Sequence, residues 1–203
     1  MTTDIRNLVF DVGGVLLGYR WEDMLTKDHG MAYEDALVFG RTIFDDPLWL
    51  EFDYENIPFD EVVERYCAKY PHWEKDIRWM MENTGLMQVK RPDVWDLFPR
   101  LRESGYRIYL LSNYSSVLFA RHTAGASFLK YIDGAVVSYM IHKIKPNREI
   151  YEYLLDKYGL NAGECLFFDD RPTNVQGAID CGMQAFRVTD EASLIDEIKL
   201  LIG

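Results

Sequence analysis

Residues 7–19 read NLVFDVGGVLLGY, and the fold depends on how that stretch is parsed. Leu8, Val9 and Phe10 form a short apolar run that stops at Asp11, with Gly13 and Gly14 close behind. An apolar run of this length bounded by glycines predicts a buried strand. An acid where such a strand stops lies at the carboxyl edge of a sheet, the edge where open α/β sheets bind ligands. Asp11 is therefore either a strand-end acid capping backbone amides or a group with chemistry of its own. What else the chain brings to that edge decides between the two.

Downstream of Pro92 the pattern alternates between helix and strand. Val94, Leu97, Phe98 and Leu101 mark one helix face that ends at Gly105, and Pro99 predicts a kink or break within it. RIYLLSN, residues 107–113, predicts a second strand closing on Ser112 and Asn113, and helical residues follow to about Tyr131. A third strand starts at Ala135. Residues 146–158 predict a helix stopped by Gly159, and CLFFDD, residues 165–170, predicts a fourth strand closing on Asp169 and Asp170. A helix around Val175, Ala178 and Ile179 closes at Gly182. A fifth strand starts at Ala185, and Leu194, Ile195, Ile198 and Leu201 mark a terminal helix. Such alternation predicts a parallel sheet built by right-handed crossovers, a Rossmann-like α/β core with helices on both faces.

Between about residues 20 and 91 the pattern is helical throughout, and no strand is predicted. Phe59, Val62, Val63, Tyr66, Cys67 and Tyr70 give the clearest helical spacing, opened by Pro58 and closed by Pro71. The expected organisation is a core of residues 1–17 and 91–203 with an all-helical cap, residues 18–90, inserted after the first strand.

Composition narrows the function. The 203 residues are 48% hydrophobic and 27% charged, ordinary for a folded chain able to bury a substantial core. With 22 Lys and Arg against 33 Asp and Glu, the net charge of −11 repels phosphate backbones, so no nucleic-acid partner is expected. Cys67, Cys165 and Cys181 have no paired spacing and are expected to be reduced thiols. The N-terminal MTTDIRN lacks the pattern of a signal peptide, and no apolar run approaches membrane-spanning length, so a cytoplasmic protein without a membrane partner is expected.

In a parallel sheet, Asp11, Ser112, Asn113, Asp169 and Asp170 all end on one edge, and Lys145 reaches it from the loop after the third strand. Taken singly, Ser112 and Asn113 are typical loop residues and Lys145 a typical surface lysine. The adjacent acids Asp169 and Asp170 repel each other, and a cation relieves that most simply. Oxygen ligands without His or Cys suit Mg²⁺, and a lysine and a hydroxyl facing a metal suit a phosphoryl group.

These motifs, in this order, resemble the haloacid dehalogenase superfamily of hydrolases over the whole chain. FDVGGVL, LLSN, KIKPNREIY and FFDDRPTN resemble its four motifs, and the chain is most similar to phosphatase members with a small helical cap, such as the glucose-1-phosphate phosphatase group. The resemblance implies that Asp11 is a nucleophile forming an aspartyl-phosphate. It implies Mg²⁺ held by Asp11, the Gly13 carbonyl and Asp170, with Asp169 nearby. Ser112 and Asn113 would hold phosphate oxygens, Lys145 would neutralise charge, and Asn174 would orient Asp170 or its loop. One position departs from the pattern. Most such phosphatases carry a second Asp at position 13, which protonates the leaving oxygen and then activates water, and this chain has Gly13.

The leading expectation is a Mg²⁺-dependent phosphatase acting on a small phosphorylated metabolite, with a sugar phosphate as the candidate substrate. The alternatives are a haloacid dehalogenase, which needs no metal, and a regulatory or binding protein that keeps the fold and little catalysis. From the cap, Arg20, Trp21, Arg41, Phe44, Asp45 and Trp49 are candidates for the substrate wall, with ordinary packing and surface charge as the competing reading.

Overall fold

Residues 4–203 are described by a computed structural model; residues 1–3, which open the stretch read for a leader, lie outside the described residues. The organising strand is β1, Asn7–Phe10, every residue of it buried. It is flanked on both sides by parallel strands, β4 (Arg107–Ser112) and β6 (Cys165–Asp169). With β5 (Gly134–Val137) and β7 (Gln184–Arg187) outside them, the sheet runs β5-β4-β1-β6-β7. All four pairings are parallel, so every strand delivers its carboxyl end to the same edge.

Alternation along the strands builds two separate cores. Leu8 and Phe10 face one side and pack with Val94, Phe98, Leu101, Leu194 and Ile198. These come from α6 (Pro92–Trp95), α7 (Phe98–Glu103) and the terminal α11 (Glu191–Ile202), with α8 (Ser116–His122) adding Leu118. Val9 faces the other side with Phe167, Ile150, Tyr151, Leu154 and Ala178, the last four from α9 (Arg148–Tyr158) and α10 (Pro172–Asp180) apart from Phe167 of β6. The expected break near Pro99 falls between α6 and α7, with Pro99 in the first turn of the second helix, where its missing N–H costs nothing. Gly159 ends α9 in the left-handed conformation, as its position predicts.

Residues 20–87 hold α1 (Trp21–Asp23) running into a π-turn (Met24–Asp28), then α2 (Tyr33–Phe44), α3 (Trp49–Tyr54), α4 (Phe59–Lys69) and α5 (Glu74–Glu82). They close around their own apolar cluster, which includes Phe39, Ile43, Phe52, Val62, Tyr66, Ile77 and Met80. The strandless expectation for this segment fails at its ends. There β2 (Leu17–Tyr19) pairs antiparallel with β3 (Gln88–Lys90), forming a ribbon across the junction with the sheet domain. Three-residue strands are too short to leave a period-2 signal, and Gly18 interrupts the first. Cys67, Cys165 and Cys181 are free thiols. Among the described residues, no helix is long and apolar enough to cross a membrane.

Candidate active site

The central strand stops at Asp11 because its carboxylate turns back into the edge. Oδ1 accepts from the Val12 amide at 2.7 Å, the Ser112 hydroxyl at 2.6 Å and the Lys145 ammonium at 2.9 Å. No donor among the described residues reaches Oδ2. One oxygen is anchored and the other is left to act. Burial pushes the Asp11 carboxyl up to about 7 against the pull of Lys145, and the nearby Asp169 adds to the rise.

Lys145 is buried and spans two acids, with Nζ 2.6 Å from Asp169 Oδ2. Burial works against its charge, but Asp11 and Asp169 outweigh it and hold its pKa above the ordinary lysine value. Asn113 fixes the lysine by its backbone: its side-chain oxygen accepts from the Lys145 amide at 2.8 Å and its Nδ2 donates to the Lys145 carbonyl at 3.0 Å.

The two adjacent acids have different surroundings. Asp169 is fully buried, and its oxygens take the Lys145 ammonium, the Arg171 amide at 2.8 Å and the Asn174 side chain at 3.0 and 3.1 Å. Asn174, expected to orient Asp170 or its loop, therefore orients Asp169 rather than Asp170. Asp170 is half-buried and forms no side-chain hydrogen bond among the described residues; burial, then Asp169, raises its pKa. Its carboxyl lies directly over Gly14. A Cβ built there would meet it at 2.7 Å, and the backbone has φ +76°, so glycine is required on both counts. Carboxylate oxygens of Asp11, Asp169 and Asp170 lie within 4.8 Å of one another, a hard-donor cluster suited to a divalent ion.

Above this edge is a cleft of about 320 Å³. Asp11, Gly13, Asn113, Lys145, Asp170 and Asn174 line it; Ser112 and Asp169 stand behind the lining residues. Ser112 is fully buried and spends its proton on Asp11, so in this structure it positions that carboxylate rather than opening to the cleft. Of the six candidates for the substrate wall, Trp21, Phe44 and Trp49 line the cleft as an edge-to-face stack, with centroid separations of 5.5 and 4.9 Å. The other three do not. Arg20 is held away by Asp28 and the Leu86 carbonyl, both at 2.8 Å. Arg41 is exposed on the side of α2 away from Ala36, Phe39 and Ile43, and Asp45 is exposed just past the end of that helix.

Tyr19, Asp53, Tyr114, His122 and Arg171 also line the cleft and were not anticipated. Asp53 faces it from α3, its carboxyl pushed up to about 6 by burial despite Arg171 and Lys145. The Tyr19 hydroxyl contacts the Tyr114 hydroxyl, which lies 3.3 Å from His122 Nδ1; His122 Nε2 is 3.0 Å from the Thr84 carbonyl. Burial holds both phenols above their ordinary pKa and lowers that of His122. Tyr114, directly after Asn113, and Arg171, directly after Asp170, are the ones whose sequence position carried a signal.

Fold and cluster together define a class: an α/β protein with a parallel sheet and an acidic cleft at the carboxyl ends of its strands. The chain belongs to the family described as haloacid dehalogenase-like hydrolases, whose model matches residues 5–182, and it is a hydrolase of the phosphatase type. Sesquiterpene phosphatase astK of Aspergillus oryzae is 26% identical over 206 residues, covering 100% of both chains. Phosphatase MT3486 of Mycobacterium tuberculosis is 32% identical over 196 residues, 91% of this chain and 87% of that one. Among solved structures, a HAD family enzyme of Bacteroides thetaiotaomicron in complex with magnesium and inorganic phosphate superposes with a TM-score of 0.73 at 23% identity, over 90% of this chain and 93% of that one.

Proposed function

We propose that the protein is a Mg²⁺-dependent phosphomonoesterase for a small metabolite, working through an aspartyl-phosphate on Asp11. The observation that carries the reading is the division of labour within that carboxylate. Oδ1 is held by three donors and Oδ2 has none, beside two further carboxylates whose oxygens lie within 4.8 Å. In this reading residues 18–90 form a cap over a core of 1–17 and 91–203.

Asp11, Asp170 and the Gly13 carbonyl would hold Mg²⁺, which supplies positive charge where carboxylate and phosphate repel each other. Asp11 Oδ2 attacks phosphorus in line with the leaving oxygen, and water then attacks the acyl phosphate at phosphorus. Lys145, fixed by Asn113, keeps its charge beside Asp11 through both steps. Splitting the transfer this way replaces one difficult displacement with two easier ones.

A cleft of about 320 Å³ suits a small molecule rather than a polymer. Its aromatic wall of Trp21, Phe44 and Trp49 favours a ring, and a sugar phosphate meets both conditions. The relatives named phosphatases support the chemistry and leave the substrate open. Release of p-nitrophenol from p-nitrophenyl phosphate tests the reading. Turnover is expected only with Mg²⁺ and is expected to be lost in Asp11→Asn. Absence of turnover with any divalent metal, alongside tight phosphate binding, would favour a binding protein instead.

A further inference from the structure

Gly13 leaves the site without the acid that the motif usually places two residues after the nucleophile. The space such a side chain would occupy is filled. A Cβ built on Gly13 would collide with the Tyr19 hydroxyl and would stand 3.1 Å from Tyr19 Cζ and 3.3 Å from the Tyr114 hydroxyl. Tyr19 comes from β2, and that short ribbon sets its ring over Gly13, with Asp11 and Asp170 lining the same cleft.

Behind Tyr19 the hydroxyl contact continues inward to Tyr114 and then to His122 Nδ1. The chain ends at the Thr84 carbonyl, which accepts from His122 Nε2 at 3.0 Å. That carbonyl fixes Nε2 as the protonated nitrogen, so Nδ1 is the one whose proton can change. Tyr114 and His122 are buried, which shields the inner part of the path from bulk water.

We infer that Tyr19 is the catalytic acid of this site, supplied through Tyr114 from His122. The inference rests on the phosphatase reading. In the first step the bond between phosphorus and the leaving oxygen breaks, and its electron pair goes to that oxygen, which takes the Tyr19 proton. Tyr19 takes the proton of Tyr114, and Tyr114 takes the Nδ1 proton of His122, whose burial disfavours the imidazolium and so readies it to give that proton up. In the second step water adds to phosphorus and the bond from phosphorus to Asp11 breaks, its electron pair returning to the carboxylate. The proton of that water travels inward by the same path and restores the imidazolium.

Asp53 is the competing donor, since it also lines the cleft. Its carboxylate accepts no hydrogen bond among the described residues and has no path of supply behind it, whereas Tyr19 has both the Gly13 space and a relay.

A leaving-group series separates these readings: p-nitrophenyl, p-chlorophenyl, phenyl and benzyl phosphates, each assayed with Mg²⁺. A nitrophenolate departs without a proton; a benzyl alkoxide does not. Tyr19→Phe, which keeps the ring, is expected to lower kcat/KM, which reports the departure of the leaving group, by roughly 100-fold more for benzyl phosphate than for p-nitrophenyl phosphate. Tyr114→Phe is expected to steepen the series in the same way, because it cuts the relay one link further in. Thermal melts of both variants check that the fold is intact. A loss in kcat/KM that is equal across the series, no loss on benzyl phosphate, or steepening in Asp53→Asn in place of Tyr19→Phe would overturn the inference. If the wild type fails even on p-nitrophenyl phosphate, the phosphatase reading itself has failed.

Discussion

Asp11 combines a buried anion with an incomplete set of partners. A carboxyl whose pKa rises from 3.8 to about 7 holds its charge at a cost to the fold above neutrality. Asp11→Asn keeps the shape and an acceptor for Ser112, and Lys145 keeps Asp169. The metal-free variant is therefore expected to be more stable than the metal-free wild type at pH 8, by on the order of 1 kcal/mol, or about 2–4 °C in melting temperature. Differential scanning calorimetry in a chelator measures this; a variant that melts lower would show that Asp11 is stabilising as an anion. At this scale the sequence was legible where chemistry is local. Asp11, Lys145, Asp169 and Asp170 meet because strand ends meet. Asn174, expected to orient Asp170 or its loop, bonds Asp169, because choosing between neighbouring acids depends on side-chain direction; for the same reason the sequence left open which cap candidates face the cleft, and Arg20, Arg41 and Asp45 do not. Tyr19 was invisible because its hydroxyl reaches Gly13 only through a ribbon of very short strands.

Two contacts between elements hold the site's frame. Arg91, just after β3, donates through Nη1 to the Gly14 carbonyl at 2.9 Å and the Val15 carbonyl at 2.7 Å. It thereby ties the far end of the helical segment to the loop that follows Asp11. Arg91→Met leaves both carbonyls without that donor and is expected to cost about 1–3 kcal/mol in urea unfolding. At the other side of the cleft, Glu55 accepts from the Ser116 amide and hydroxyl, both at 2.6 Å. A carboxylate at the start of α8 satisfies an orphan N–H and the positive end of the helix dipole. That helix carries Leu118 and His122 into the cleft. Glu55→Ala is expected to cost about 1–2 kcal/mol and to raise KM; an unchanged KM would show that this contact does not position α8 for substrate. The helices and parallel strands were legible because each has enough residues to show its period. The ribbon and these capping contacts were not, since they join residues far apart in sequence.

The whole molecule carries a net charge of −11, and its candidate site concentrates three of those acids. Without a metal, Asp11 makes the fold's stability depend on pH in a defined direction. Its contribution is fully present below 3.8, where the folded and unfolded carboxyls are both protonated, and is lost as pH rises through about 7. A bound divalent ion requires the ionised form, so protons compete with it. Mg²⁺ affinity, followed by calorimetric titration, is expected to fall toward tenfold per pH unit below about 7 and to level off above it. A flat profile between pH 5 and 8 would place Mg²⁺ away from Asp11. The helical segment packs around an apolar cluster of its own, apart from the two clusters that flank the sheet.

The covalent role of Asp11 is the centre of this account, and the steric course at phosphorus tests it most directly. With an isotopically chiral thiophosphate monoester hydrolysed in heavy-oxygen water, two successive in-line displacements predict net retention of configuration. Net inversion would mean that water attacks the substrate directly and that Asp11 never carries the phosphoryl group.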